Sequence, residues 1–192
     1  MIYKIIWVIR VYIYKPFLGK VGKMCYLGRP VYIGNFKRIF IGDNVRIFPG
    51  ARIEVINNNS SITLEDNISI AQKLHLISGG KLIIGENTTI SANVFITNID
   101  HEYQEIDKHI LEQSLIYKET KIGENCFIGY GAVIQAGTIL GKQCIIGANS
   151  VVRGTFPDYC VIVGAPAKIV KRYNTTSKAW QKTDSKGNFI NE

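Results

Sequence analysis

The sequence has few cysteines and lacks closely spaced cysteine pairs. Cys25, Cys126, Cys144 and Cys160 form no CxxC motif and match no spacing typical of a zinc site. A chain of 192 residues is also long enough to fold without a disulfide scaffold. We therefore expect reduced cysteines that are mostly buried, as in a cytosolic protein, and no resident metal.

A long uninterrupted apolar run is also missing. The opening segment MIYKIIWVIRVYIYKPF is broken by Lys4, Arg10 and Lys15, so it falls short of the about 20 apolar residues that a transmembrane helix needs. It also lacks the small-residue cleavage site of a signal peptide. We interpret residues 1–25 as a helical extension that packs on the body or across a subunit contact, with peripheral contact to the inner face of a membrane as the alternative.

The composition limits the class of partner. The hydrophobic fraction of 46% and the charged fraction of 20% are typical of a soluble globular protein, which argues against disorder and against a polytopic membrane protein. The net charge of +8 favours an anionic partner, such as a nucleic acid, an anionic lipid or a phosphorylated ligand. Nucleic acid is the weakest of these, because the basic residues are scattered and no recognised binding module accompanies them.

Aliphatic residues that recur every six positions dominate the sequence. A helical stripe would need spacings of three and four, whereas a step of six keeps strand side chains on one face and leaves room for a turn. The pattern predicts short strands joined by tight corners. The series comprises Ile41, Ile47, Ile53, Ile62, Ile68, Leu74, Ile84, Ile90 and Ile96, and then Ile122, Ile128, Ile134, Leu140, Ile146 and Val152.

Small residues lie four positions after most of these aliphatics. Cys126 and Cys144 occupy two such positions, eighteen residues apart, so three six-residue repeats per coil would stack them on successive coils. We interpret both as core residues. Glycine directly after the aliphatic, as at Gly123 and Gly129, suits corners where two backbones approach closely.

The pattern Ile-Gly-x-x-small-x resembles the hexapeptide repeat of the left-handed parallel β-helix acyltransferases. The resemblance covers residues 27–170 and includes the motifs DH at 100–101, IGANSVV at 146–152 and VGAPAKIV at 163–170. Within that superfamily the chain is similar to the galactoside and maltose acetyltransferases and to the exopolysaccharide and O-antigen sugar O-acetyltransferases. The resemblance implies an all-β fold, a homotrimer, and acetyl-CoA as the acetyl donor.

One long interruption breaks the repeat. The step from Ile96 to Ile122 is 26 residues, which leaves an inserted loop over residues 98–120. A solenoid accepts insertions only at its corners, and a long ordered loop in a compact repeat is usually functional. In the resembling enzymes this loop carries the catalytic histidine, so the resemblance identifies His101 as the general base that takes the proton of the acceptor hydroxyl.

The resemblance also suggests the residues around His101 and along the donor site. Asp100 either orients His101 or caps the turn, and Gln72 could supply an amide to the oxyanion where the family often has asparagine. On the coenzyme A side, the family's positions fall on Tyr130, Ala148, Arg153, Lys168 and Lys171. Arg153 stands where a hydroxyl is more usual, and the two lysines stand where the family often has arginine.

These observations divide the chain into a helical extension (1–25), a left-handed β-helix (26–172) and a polar tail (173–192) that is partly disordered or held by a neighbour. The predicted function is acetyl-CoA-dependent O-acetylation of a sugar or glycan in cell-surface polysaccharide biosynthesis. N-acetylation of an amino sugar, and acetylation of an antibiotic, are the neighbouring alternatives. A noncatalytic scaffold and a β-helix carbonic anhydrase are two more, and the latter would need His75, His101 and His109 to converge on zinc.

Overall fold

Three sheets of short parallel strands stack on one another to form the three faces of a β-helix. The structure is a computed structural model that describes residues 2–190 of the chain. The first residue of the predicted extension and the last two residues of the predicted tail lie outside the described range. Helix α1 (Ile2–Tyr14) precedes seven coils, and a strand hairpin is inserted between the fourth and fifth coils.

The strand bounds follow the chain coil by coil. Each coil contributes one strand to each face, except that the last coil has no strand on the third face. The first four coils are β1 (Lys20–Val21), β2 (Tyr26–Leu27), β3 (Tyr32–Gly34); β4 (Ile39–Ile41), β5 (Arg46–Ile47), β6 (Arg52–Val55); β7 (Ser61–Leu64), β8 (Ser69–Ile70), β9 (His75–Ser78); and β10 (Lys81–Ile84), β11 (Thr89–Ile90), β12 (Phe95–Thr97).

The inserted hairpin consists of β13 (Ile99–His101) and β14 (Leu115–Tyr117). Short 3-10 turns occupy Phe36–Arg38 and Ile110–Glu112. The remaining strands are β15 (Thr120–Ile122), β16 (Phe127–Ile128), β17 (Val133–Ile134); β18 (Ile139–Leu140), β19 (Ile145–Ile146), β20 (Val151–Val152); β21 (Thr155–Phe156), β22 (Cys160–Gly164); and the terminal β23 (Ala167–Asn174) and β24 (Ala179–Lys182).

The first face begins with β1, the second with β2 and the third with β3. The later coils add to each face in order, as far as β21 on the first face, β22 on the second and β20 on the third. The structure thus confirms the β-helix that the six-residue repeat predicts. The ladder begins at Lys20, which pairs with Phe40, so the first coil starts before the predicted boundary at residue 26.

The repeated aliphatic side chains fill the interior between the three faces. Strands alternate buried and half-buried residues, as expected when one side of each strand lines a core. The predicted series through Ile62, Ile68 and Leu74 is buried but two residues out of register, because Leu64 pairs with Ile41. The buried alternation survives this shift because side chains on a strand repeat every two residues.

The four cysteines lie inside this core, as predicted. All are buried and unpaired, and Cys126, Cys144 and Cys160 occupy equivalent positions in successive coils. A hydrogen bond with Cys126 raises the pKa of Cys144 to about 12. Neutral, inaccessible thiols of this kind are core residues rather than nucleophiles.

The extra residues of the longer coils all lie at one corner. The corner between first-face and second-face strands has four residues, as in 42–45, in all coils but the last. The corner between second-face and third-face strands, called here the second corner, always has four, as in 71–74. The corner after the third face, called here the third corner, ranges from two residues (79–80) to the long excursion at 98–119.

The C-terminal tail differs from the prediction. Strand β23 pairs antiparallel with β22, and β24 pairs antiparallel with β23 through contacts such as Tyr173 with Trp180. The ring centroids of these two aromatics are 5.8 Å apart, so the tail is fixed to its own chain over these residues.

In the part of the chain that the structure describes, no helix is long and apolar enough to cross a membrane.

The buried column of aliphatics makes a stability prediction. Ile128→Ala should lower the free energy of unfolding by about 3 kcal/mol, because Ile128 is fully buried and its truncation leaves a cavity. Ile106→Ala, at an 84% exposed site, should change it by less than about 0.5 kcal/mol. Urea denaturation of both variants at one protein concentration measures the difference. Equal midpoints for the two variants would contradict the packing described above.

Candidate active site

The long excursion at the third corner folds into a hairpin. Strands β13 and β14 pair antiparallel, with Ile99 opposite Tyr117 and His101 opposite Leu115. At the far end, the Gln113 side chain accepts a hydrogen bond from the backbone N–H of Glu105 and donates to that residue's carbonyl. The insertion is therefore an ordered element, and it holds His101 three residues from the point where the chain leaves the third face.

A buried asparagine anchors the root of this hairpin. Asn98 is fully buried; its Oδ1 accepts a hydrogen bond from the Gly79 N–H (2.8 Å) and its Nδ2 donates to Ser78 Oγ (3.1 Å). The Tyr117 ring lies against Gly79, where an added Cβ would come within 2.3 Å of Tyr117 Cε1. The hairpin thus leaves the β-helix at a position fixed by the coil beneath it.

The Asp100 carboxylate joins the hairpin to two basic side chains. Its Oδ2 accepts hydrogen bonds from Lys118 Nζ (3.2 Å) and from Arg153 Nη2 (2.9 Å), and its Oδ1 accepts one from the His101 backbone N–H (3.1 Å). The hydrogen bond from Lys118 lowers the pKa of the Asp100 carboxyl. Within residues 2–190, no hydrogen bond joins this carboxylate to the His101 ring, so the contacts of Asp100 are those of a backbone cap and an ion-pair partner.

His101 lines an open cleft between the hairpin and the third face. The cleft has a volume of about 460 Å³, and the His101 side chain is exposed in it. Its floor is mainly apolar, with a few polar groups that could orient a ligand. Apolar lining comes from Ile56, Ile77, Phe95, Ile99, Leu115 and Val133, and polar lining from Glu54, Thr97, Gln135 and Arg153.

Two of the predicted coenzyme A residues lie together at the second corner. Tyr130 and Ala148 are exposed in successive coils, and the Asn149 N–H donates to the Tyr130 carbonyl (2.8 Å). The backbone N–H groups of Tyr130 and Ala148 have no acceptor among the described residues. Free amides on an exposed edge are suited to an acyclic ligand with carbonyl groups, which is the chemistry of the pantetheine arm.

Lys168 and Lys171 lie on β23, beside the second face. Both are exposed, and Lys168 pairs with Val163 while Lys171 pairs with Val161. Lys171 also lies directly opposite Lys182 across the antiparallel pair with β24. Two ammonium groups on one exposed strand pair provide a local positive charge that could bind phosphate.

Within one chain, the structure separates Gln72 and Arg153 from the partners that the sequence suggested. Gln72 lies exposed at the second corner, whereas the hairpin that carries His101 leaves from the third corner. The residues one coil below the root of that hairpin are Ser78 and Gly79, not Gln72. At about 3.3 Å per residue, the four-residue strand β9 puts roughly 13 Å between the two corners. Arg153 instead lies in the His101 cleft, paired with Asp100.

The other two histidines have structural contacts. The His75 ring stacks edge-on against Phe95, with centroids 5.1 Å apart, and burial lowers its pKa. His109 Nδ1 accepts a hydrogen bond from the Leu111 N–H at the start of a 3-10 turn. Among the described residues, no group of three or more His, Cys, Asp or Glu side chains could hold a metal ion.

Asn98 and Lys118 are site residues that the sequence analysis did not identify. Asn98 is the first residue after the last regular strand before the excursion, and a polar residue there could have indicated an anchor. Lys118 is the first residue after β14, where the hairpin returns to the β-helix. Neither matches the six-residue repeat, so its partners become evident only when the coils are stacked.

The Asn98 anchor makes a prediction about the hairpin. Asn98→Ala leaves the Gly79 N–H buried without a partner, so it should cost about 1–3 kcal/mol and expose the hairpin to local opening. Hydrogen exchange should then quicken at residues 99–117. Asn59→Ala, at an exposed corner position, is the matched control and should leave the exchange unchanged. Unaltered exchange in both variants would exclude this anchoring role.

Comparison with known proteins bears on this arrangement. Residues 119–154 match the family described as bacterial transferase hexapeptide (six repeats). WbbJ of Escherichia coli, assigned to lipopolysaccharide biosynthesis as an O-acetyl transferase, is 34% identical over 134 residues, which cover 63% of this chain and 65% of WbbJ. A serine acetyltransferase of Staphylococcus aureus is 30% identical over 113 residues, 59% of this chain and 50% of that protein. The chain thus spans less than two thirds of the length of either relative.

Solved structures share the fold. AntD, an N-acyltransferase from Bacillus cereus in complex with dTDP and 3-hydroxybutyryl-CoA, superimposes with a TM-score of 0.72 at 19% identity, covering 88% of this chain and 90% of AntD. Galactoside acetyltransferase in complex with coenzyme A gives a TM-score of 0.57 at 20% identity, covering 95% and 78%. The chain thus has the β-helix fold of these structures, and its sequence is similar to those of hexapeptide-repeat acetyltransferases.

Proposed function

We propose that the protein is an acetyl-CoA-dependent O-acetyltransferase that acetylates a sugar hydroxyl in cell-surface polysaccharide biosynthesis. The observation that carries this proposal is the exposed His101, held by an anchored hairpin over a cleft of about 460 Å³. The similarity to WbbJ supports O-acetylation of a glycan. The four free, buried cysteines fit a reducing compartment such as the cytoplasm.

His101 acts as the general base. Acetyl-CoA supplies an acyl carbon activated as a thioester. The imidazole takes the acceptor hydroxyl's proton as that oxygen bonds to the acyl carbon, and then gives a proton to the departing sulfur. Asp100 is a positioning residue, because its carboxylate holds the His101 backbone N–H while Lys118 and Arg153 hold the carboxylate.

The donor binds between subunits of a homotrimer in this proposal. Tyr130, Ala148 and Gln72 share the second corner, while His101 lies at the third corner across the third face. A single chain therefore separates the proposed base from the proposed donor residues. If neighbouring β-helices pack side by side, the second corner of one subunit can face the His101 cleft of the next, where Gln72 could contribute its amide to the oxyanion.

N-acylation of an amino sugar is the second candidate. It is favoured by AntD, an N-acyltransferase whose fold matches over most of both chains. The same base serves both reactions, because an amine acceptor also loses a proton as the new bond forms. The two activities are distinguished by measuring thiol release with pairs of acceptor sugars, free or nucleotide-linked. The two sugars of a pair differ only in carrying a hydroxyl or an amino group at one position.

His101→Ala should lower turnover by about two orders of magnitude while leaving the fold intact, because general-base catalysis contributes a factor of this size. Thiol release from acetyl-CoA with a saturating acceptor measures the loss. His109→Ala is the matched control, since His109 lies in the same hairpin but contacts the backbone of Leu111. Full turnover in the His101 variant would remove the mechanism.

Replacement of Lys171 tests the donor side. Lys171→Gln should raise the Kd for coenzyme A by about tenfold, through loss of a charge-assisted contact to phosphate. Lys121→Gln, an exposed lysine on the first face, should leave the Kd unchanged. Isothermal titration at low and high salt gives both values, and the difference between the variants should shrink as salt increases. Identical Kd values in the two variants would separate Lys171 from the donor site.

A further inference from the structure

Helix α1 has two apolar faces, and only one of them is packed. Val11 belongs to the buried core, Trp7 lies against Tyr26 and Phe48 with ring centroids 5.6 and 5.4 Å away, and Tyr14 stacks on Phe36. At 100° per residue, these packed side chains share one side of the helix. The opposite side is exposed and apolar, with exposed fractions of 58% at Ile5, 52% at Ile9, 68% at Tyr12 and 61% at Ile13.

The exposed side of α1 faces away from the end of the β-helix. The helix closes the open end of the first coil, because Val11 contacts the core and Arg10 donates to the Leu27 carbonyl (2.9 Å). Its free side therefore lies on the side of the helix opposite the core. Phe17 and Met24 extend the apolar surface near this end, with exposed fractions of 59% and 84%.

The positive charge of the protein is concentrated at the same end. Residues 1–42 contain eight basic residues (Lys or Arg) and no acidic ones (Asp or Glu). Residues 43–192 contain fifteen basic and fifteen acidic residues, so the first 42 residues account for the whole net charge of +8. Lys4 and Lys15 lie on one flank of the exposed apolar side of α1. No salt bridge engages any of these basic residues in the part of the chain that the structure describes.

We propose that this end of the β-helix docks on an anionic membrane surface, with α1 lying in the plane of the interface. An apolar helix face inserted at the level of the head groups, flanked by lysines that contact anionic lipids, is the arrangement of interfacial helices. The helix has 13 residues, too few to span the bilayer. The proposal does not depend on the transferase activity, because it uses neither His101 nor the cleft.

The charge distribution favours a membrane over other occupants. A second copy placed end to end would bring two equally basic surfaces together, which is unfavourable. A nucleic acid would neutralise the lysines but would leave the isoleucines and Tyr12 in water. An anionic bilayer satisfies both the charge and the apolar surface at once.

Flotation of the full-length protein with vesicles tests the proposal. The vesicles contain phosphatidylcholine alone, or phosphatidylcholine with an equal amount of phosphatidylglycerol. The apolar test variant carries Ile5→Ser, Ile9→Ser and Ile13→Ser, which spare the packed residues Trp7 and Val11. Its matched control carries Ile106→Ser and Leu111→Ser, at exposed positions of the hairpin.

A second pair of variants tests charge. Lys4→Gln, Lys15→Gln and Lys23→Gln are combined in the test variant, and Lys81→Gln, Lys121→Gln and Lys186→Gln in its control. All six lysines are exposed. Thermal unfolding followed by circular dichroism, together with gel filtration, checks that each variant keeps its fold and oligomeric state.

We expect wild type to float with the anionic vesicles and to remain unbound with phosphatidylcholine alone. Partitioning should fall by about tenfold or more in the serine variant. In the triple lysine variant it should fall by about a hundredfold, or about fivefold per lysine, with both controls unchanged. Absence of flotation, or undiminished flotation of the serine variant, would overturn the proposal. Two further results for the wild type would overturn it. One is an apparent mass on gel filtration twice that of the serine variant, without vesicle binding, and the other is retention on DNA without flotation.

Discussion

The parallel backbone ladder between successive coils is the constraint on which the structure depends. Each strand hydrogen-bonds to the equivalent strand of the coil above and below, so strands on one face must stay in register through seven coils. Within each coil, the first two corners are held almost without exception at four residues. The third corner varies from two residues to the 22 of the excursion, and it is where the chain leaves the repeat without breaking the ladder.

The candidate site follows from that freedom. The excursion at the third corner carries His101, and its root is fixed to the coil below through Asn98 and Gly79. The Asp100 carboxylate links the hairpin forward to Arg153, 53 residues later in the chain. A flexible insertion would place a general base poorly, whereas contacts to the coils on both sides hold the His101 backbone in position.

The same ladder leaves two ends that must be covered, and they are covered differently. At one end, Val11 of α1 closes the core, and the outer side of that helix remains apolar beside the basic first coil. At the other end, β23 and β24 extend the second face as an antiparallel sheet and bring Lys171 next to Lys182. The two ends thus present different chemistry, an apolar and basic surface at one and a basic strand pair at the other.

The sequence by itself determined the repeat, the interruption and the buried cysteines. These could be predicted because the six-residue repeat, and the stretch where it is interrupted, are local properties of the sequence. Whether an aliphatic side chain points inward also depends only on its position in its own strand. The resemblance carried by DH and VGAPAKIV directed attention to His101. Only the tertiary structure decided that Arg153 joins Asp100, that Gln72 lies at another corner, and that Asn98 anchors the hairpin. Those contacts join residues from different coils, and the coil-to-coil register depends on corner lengths and backbone pairing that no short motif encodes.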